Sequence, residues 1–255
     1  MGYHHLVIAK DPAGFAEITL SRREVLNALN LALVNELGAA LDALAADPEV
    51  KGLILTGAGD KAFVAGADIS ELLHRTHKEA LLAINARLFQ KVEEFPHPVI
   101  AAIRGYALGG GCELALACDI RIGSEDAVLG QPEVKLGIIP GAGAPHRLTR
   151  TVGPGLAREL IFTGRTVDAA EALRIGLLNR VVPPHDVLET AREMMGTILR
   201  NSTLAVQLAK IALNAAVNSV DRRVQTVEVL SQGILFDSED KKARMTRFLE
   251  RKKGS

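Results

Sequence analysis

A chain of 255 residues, 48% apolar and 24% charged, is long enough for one large domain with a sizeable core and has the balance of a soluble globular protein. Its 30 basic residues offset 30 acidic ones, which excludes a global field that draws in nucleic acid or an anionic membrane. Aromatics are 4% and Trp is absent, so Ala, Leu, Ile and Val must fill the core.

The first half alternates strands with helices. His5–Ala9 and Phe15–Leu20 read as two strands joined by a turn at Asp11-Pro12-Ala13-Gly14. The apolar stripe Leu29, Leu33, Leu37, Leu41 and Leu44 predicts an amphipathic helix over Asn27 to Ala46. Gly52–Thr56 reads as a buried strand. Ile69 to Phe95 has a helical period with a break near Thr76. A strand over Val99–Ile103 follows two prolines, and the run Gly109-Gly110-Gly111 then bends the chain into a short helix, Cys112–Cys118, before a strand at Ile120–Gly123. The pattern predicts a mixed α/β core. From Pro154 onward helical periods dominate: Pro154–Thr163, Asp168–Ile175, Asp186–Leu199, Thr203–Val217, Asp221–Phe236 and Glu239–Lys252, with only Asn179–Val182 extended.

The two cysteines, Cys112 and Cys118, stand six apart on one predicted helix and face different ways, so they are expected to be buried free thiols in a reducing compartment. Met1 to Pro12 has no long apolar run. Neither a secretory signal nor a spanning helix is visible, and a cytoplasmic location is expected.

Three stretches concentrate the chemistry: Ala65-Gly66-Ala67-Asp68-Ile69, Gly105 to Asp119, and Gln131 to Gly143. Each contains a bend of small residues, which lets a ligand approach the backbone. A helix start after Gly109-Gly110-Gly111 leaves N–H groups unpaired, and Glu113 lies on the same helix face as Gly110. Ala65-Gly66-Ala67-Asp68 is a second bend before a helix; by itself it reads as a loop with Asp68 as cap. Two backbone donors from such bends make an oxyanion hole. Glu133, after Gln131-Pro132, is a second acid in apolar surroundings, where a carboxyl can hold a proton near neutral pH. Backbone donors with two carboxyls point to chemistry on a carbonyl compound. Gly57-Ala58-Gly59-Asp60-Lys61-Ala62 fits the dinucleotide fingerprint formally but lacks the following helix. His74 and His77 lack a partner motif for a metal.

Together these segments resemble the enoyl-CoA hydratase/isomerase (crotonase) superfamily. The likeness extends to Leu26-Asn27-Ala28-Leu29, Thr163-Gly164-Arg165, Ala172 to Asn179 and a tail over Glu239–Lys253. It implies a crotonase spiral of β-β-α units over residues 1–195, and a helical region, 196–255, that mediates trimers and hexamers. It implies Ala67 and Gly110 as the oxyanion hole, Glu113 and Glu133 as the catalytic pair, and Gly141 as a water-holding amide. Ala65, Asp68, Ile69 and Arg251 fall at its CoA-binding positions. The implied reaction is hydration of trans-2-enoyl-CoA to 3-hydroxyacyl-CoA, with no cofactor and no metal beyond the substrate's own CoA. The alternative is a delta3-delta2-enoyl-CoA isomerase or another crotonase-type acyl-CoA enzyme, although family isomerases usually lack one of the two glutamates. Ala144-Pro145-His146 departs from the family's usual Gly-Thr-Gln, with His146 a possible polar contact in the acyl pocket. The basic tail, including Lys241, Lys242 and Arg247, raises RNA binding as a rival; interspersed acids such as Glu239 and Glu250 argue for a solvated helix instead.

Overall fold

The computed structural model describes residues 2–218, 233, 236, 237 and 239–253. Among these residues ten strands form two sheets. They are β1 (Leu6–Asp11), β2 (Phe15–Leu20), β3 (Leu53–Gly57), β4 (Ala62–Val64), β5 (Val99–Ile103), β6 (Tyr106–Leu108), β7 (Ile120–Ser124), β8 (Val128–Gly130), β9 (Thr166–Asp168) and β10 (Arg180–Val182). One sheet has six strands in the order β1-β2-β3-β5-β7-β10; the other has four, in the order β4-β6-β8-β9. Consecutive strands β3 and β4, β5 and β6, and β7 and β8 therefore split between the two sheets. Helical segments close each turn, which is the expected spiral.

Both faces of the larger sheet are covered. The helices Leu31–Ala45, Ile84–Glu93 and Gly110–Ala117 bury Leu37, Phe89 and Leu114 on one side. The helix Val187–Leu199 buries Val187, Ala191 and Met195 against Ile54, Ile100 and Ile122 on the other. A strand covered on both faces reads as a continuous apolar run, and every residue of β3 and β5 is buried. Thr203–Asn218 is fastened to the end of this sheet by Lys210, which donates to Asp119 Oδ2 at 2.7 Å and to the His97 carbonyl at 3.0 Å.

The predicted helix over Asn27 to Ala46 begins later, at Leu31, with Asn30 Oδ1 capping the Leu33 amide at 2.9 Å. Leu26 and Asn27 instead adopt left-handed backbone, at φ 55° and 59°. Asn27 is buried there because its side chain has partners: it accepts from the Arg22 amide and donates to the Ala58 and Ala62 carbonyls. The break expected near Thr76 is present, as a capping box between Thr76 and Glu79, and a second break falls at Ala83. The short glycine helix starts at Gly110 rather than Cys112, so two of the three glycines lie inside it. A helix over Ala144–Val152 and the three-residue strands of the smaller sheet were not expected. Most of the predicted helix Asp221–Phe236 lies outside the described residues. Cys112 and Cys118 are buried and free, and burial pushes each thiol up to about 12.

Replacing Asn27 by Ala leaves two buried carbonyls and one amide unpartnered. Denaturant unfolding of Asn27→Ala is expected to show a loss of about 3 kcal/mol.

Candidate active site

The bend at residues 65–68 is braced from one side by the left-handed turn before it. The Ala65 amide donates to the Leu26 carbonyl at 3.0 Å, Asp68 N–H donates to the Leu29 carbonyl at 2.9 Å, and Leu29 N–H donates to Gly66 O at 2.8 Å. The Ala67 N–H remains: among the described residues no acceptor takes it. Asp68 caps the next helix, Ile69–His74, by accepting from the Ser70 amide, and its other oxygen takes Arg22 Nη2 at 3.1 Å. Partial burial works against its charge, but the bonds from Ser70 and Arg22 win and hold the carboxyl below its ordinary value.

The second bend meets the first. Gly109 has φ 50°, and its amide donates to the Gly130 carbonyl. Gly110 opens the helix, and its N–H also lacks an acceptor among the described residues. A Cβ built on Gly110 would lie 3.7 Å from the Ala67 nitrogen, so the two donors are neighbours across the gap. On Gly111 a Cβ would lie 2.0 Å from the Val64 carbonyl oxygen; only glycine lets this helix start dock on β4.

Glu113 lies one turn further on, 3% exposed. Its Oε1 accepts from the Ala142 and Ala144 amides at 2.8 and 3.0 Å, the kind of bonding that favours an ionised carboxylate. Glu133 comes from the facing 3-10 helix, Pro132–Leu136, and is also buried. Its Oε1 approaches the backbone of Gly109 so closely that a Cβ there would stand 2.7 Å away. Burial, then the negative charge of Glu113, push the Glu133 carboxyl well above its usual 4.5. Buried Gln131 lies beside Glu133; with its amide nitrogen turned toward that carboxyl, the nitrogen stands 3.2 Å from each oxygen.

All nine residues singled out from the sequence line one cavity of about 820 Å³: Ala65, Ala67, Asp68, Ile69, Gly110, Glu113, Glu133, Gly141 and Arg251. That volume suits an extended small-molecule substrate. Its walls are mainly apolar, with Leu72, Ile138 and Phe236 packed together. Those wall residues carried no recognisable signal, because nothing in an apolar residue's spacing says that it faces a cavity. His146 is not among the lining residues. It follows Pro145 in the first turn of the unexpected helix, and within Ala144-Pro145-His146 the Ala144 amide donates to Glu113. Lys241 of the basic tail is not on a solvated face. It is 1% exposed, its Nζ donates to the Arg75 and Phe236 carbonyls, and it lies 4.5 Å from the Phe236 ring centroid. The fingerprint-like segment from Gly57 leads into β4, not a helix. Among the described residues no cluster of three metal-ligating side chains occurs, and no helix is long and apolar enough to cross a membrane.

A carboxyl that holds its proton more tightly when folded weakens the fold as pH rises. Above about pH 4.5 the unfolded chain ionises Glu133 while the folded one does not, and the penalty grows until the folded carboxyl itself titrates. Glu133→Gln removes this penalty. Urea unfolding at several pH values is expected to show the variant gaining on wild type as pH rises, with the two converging near pH 4.

The family profile for enoyl-CoA hydratase/isomerase matches residues 10–255. The crotonyl-CoA hydratase of Syntrophomonas wolfei is 42% identical over 257 residues, covering 100% of this chain and 98% of that protein. The short-chain-enoyl-CoA hydratase of Clostridium acetobutylicum is 44% identical over 249 residues, 97% of this chain and 95% of its own. Among solved structures, an enoyl-CoA hydratase/isomerase from Xanthobacter autotrophicus Py2 superposes with a TM-score of 0.89 at 33% identity, over 98% of this chain and 94% of that one. An enoyl-CoA hydratase from Bacillus anthracis gives 0.82 at 39% identity, over 97% of each chain. With its two-sheet spiral, paired buried glutamates and these full-length likenesses, the chain belongs to the enoyl-CoA hydratase/isomerase family.

Proposed function

We propose that this protein adds water across the 2,3 double bond of trans-2-enoyl-CoA, reversibly, to give 3-hydroxyacyl-CoA. The observation that carries the reading is the meeting of two buried glutamates with two unengaged amides on one cavity wall. The Ala67 and Gly110 N–H groups bind the thioester oxygen and stabilise the enolate that forms on it. Glu113, which accepts from the Ala142 and Ala144 amides, takes a proton from water as the water oxygen bonds to the β carbon. Glu133, whose carboxyl is pushed well above its usual range by burial and by Glu113, delivers a proton to the α carbon. The Gly141 amide helps hold the water. Ala65, Asp68, Ile69 and Arg251 contact the CoA portion. The reaction so written needs no cofactor beyond the CoA of its substrate. A cytoplasmic setting, where Cys112 and Cys118 stay reduced, belongs to the same reading.

The region 196–255 is proposed to mediate a homotrimer, with pairing into hexamers. Leu204, Leu208 and Ile211 are 64%, 56% and 64% exposed in the single chain and form one stripe of Thr203–Asn218. Light scattering is expected to give the mass of three or six chains, and the double variant Leu208→Glu, Ile211→Glu to shift it toward monomer.

A spectrophotometric assay with crotonyl-CoA tests the chemistry. Glu113→Gln and Glu133→Gln are each expected to lower kcat by about 10²–10⁴-fold. Gly110→Pro deletes one N–H at the first helical position, where proline is tolerated, and is expected to cost about 10²–10³-fold in kcat. Full activity in Glu113→Gln overturns the water-activating role. A wild type that only moves 3-enoyl double bonds to the 2 position makes the protein an isomerase.

A further inference from the structure

The two amides that aim Glu113 belong to the bend before the helix Ala144–Val152, and Arg147 holds that bend. The Arg147 side chain is 5% exposed. Its Nη1 donates to the Ala142 carbonyl at 3.0 Å, so that both polar backbone groups of Ala142 are committed: N–H to Glu113, C=O to the guanidinium. Nε and Nη2 donate to Glu93 Oε2 at 3.1 and 2.6 Å, and Nη2 reaches Gln90 Oε1 at 3.4 Å. Glu93 is held in turn, its carbonyl accepting from Asn214 Nδ2 at 3.0 Å. Gly143, between the two donating residues, has φ 121°, and a Cβ there would stand 2.0 Å from Arg147 Nη1. The guanidinium thus lies directly against the bend. Arg147 itself does not line the cavity, whereas Gly141, Ala142 and Glu113 do.

Resting on the hydratase reading, we propose that Arg147 is a positioning residue for Glu113, clamping the Ala142 carbonyl so that the Ala142 and Ala144 amides stay aimed at the carboxylate. A planar guanidinium suits this task because it holds the Ala142 carbonyl and Glu93 from fixed directions at once. Without the clamp the bend can swing, and Glu113 loses donors that favour its ionised form. The other titratable groups near this chain of contacts are Glu133 on the facing 3-10 helix, Glu93, His146, whose ring lies against Gly143, and Arg150, which interacts with both Glu93 and Arg147; the Cys112 thiol stays neutral.

The test is steady-state hydration of crotonyl-CoA across pH by wild type, Arg147→Met and Arg147→Lys, with thermal unfolding of each. Arg147→Met is expected to lose on the order of 100-fold in kcat with KM little changed, and its acidic limb is expected to move to higher pH. Arg147→Lys keeps one donor for the Ala142 carbonyl and is expected to recover part of the rate and of the pH shift. A folded Arg147→Met with wild-type kcat overturns the proposal. So does an Arg147→Lys that is folded, fully active and unshifted in pH while Arg147→Met fails to fold, because Arg147 is then a fold staple alone. A wild type that does not turn over crotonyl-CoA refutes the hydratase reading instead, a result distinguishable from either.

Discussion

A carboxylate taken out of water must be given hydrogen bonds where it ends up, and much of this architecture answers that demand for Glu113. Its helix is buried along its whole length, so the donors have to come from another part of the chain. They come from the bend before Ala144–Val152, which is why that bend packs over the first turn of Gly110–Ala117. Glu133 has a different environment. It meets a glycine backbone, the Gln131 amide and the charge of its neighbour, and burial with that charge raises its carboxyl where Glu113 takes two backbone donors. Two identical side chains thereby sit in different environments, as acid and base chemistry at one centre requires.

The spiral determines how these pieces meet. Each turn sends one strand to the long sheet and the next to the short one, and the chain leaves the short sheet at β4, β6 and β8 in parallel neighbouring positions. The bend with Ala67, the glycines before Glu113 and the loop with Glu133 follow those three strands in order. Equivalent exits from adjacent parallel strands place three segments distant in sequence around one cavity, in line with the tendency of α/β sheets to bind ligands beyond the carboxyl ends of their strands.

Much of this was legible in the residues. The long amphipathic period of Leu33 to Leu44 and the solid apolar runs of β3 and β5 signal their own structure, because burial on one stripe or on two faces leaves a pattern. The short sheet left none: three residues such as Tyr106–Leu108 are too few to display a period. Asn27 was misread as helical because its neighbours fit a stripe, while its left-handed turn is stabilised by partners at Ala58 and Ala62 that spacing does not reveal. The candidate site residues were legible as motifs, and all of them line one cavity. Arg147 was not, since its significance lies in a contact with a main-chain oxygen five residues back and a carboxylate fifty-four residues away.

The free amides of Ala67 and Gly110 carry a further consequence. Every residue except proline brings an N–H, so this pair of donors is written in the path of the chain and not in the alphabet of its side chains. Point substitutions of Ala67 alter bulk at the cavity but leave its dipole in place. A lineage built on this scaffold is therefore free to exchange its acids, and with them the fate of a bound thioester, while the grip on the oxygen is inherited unchanged.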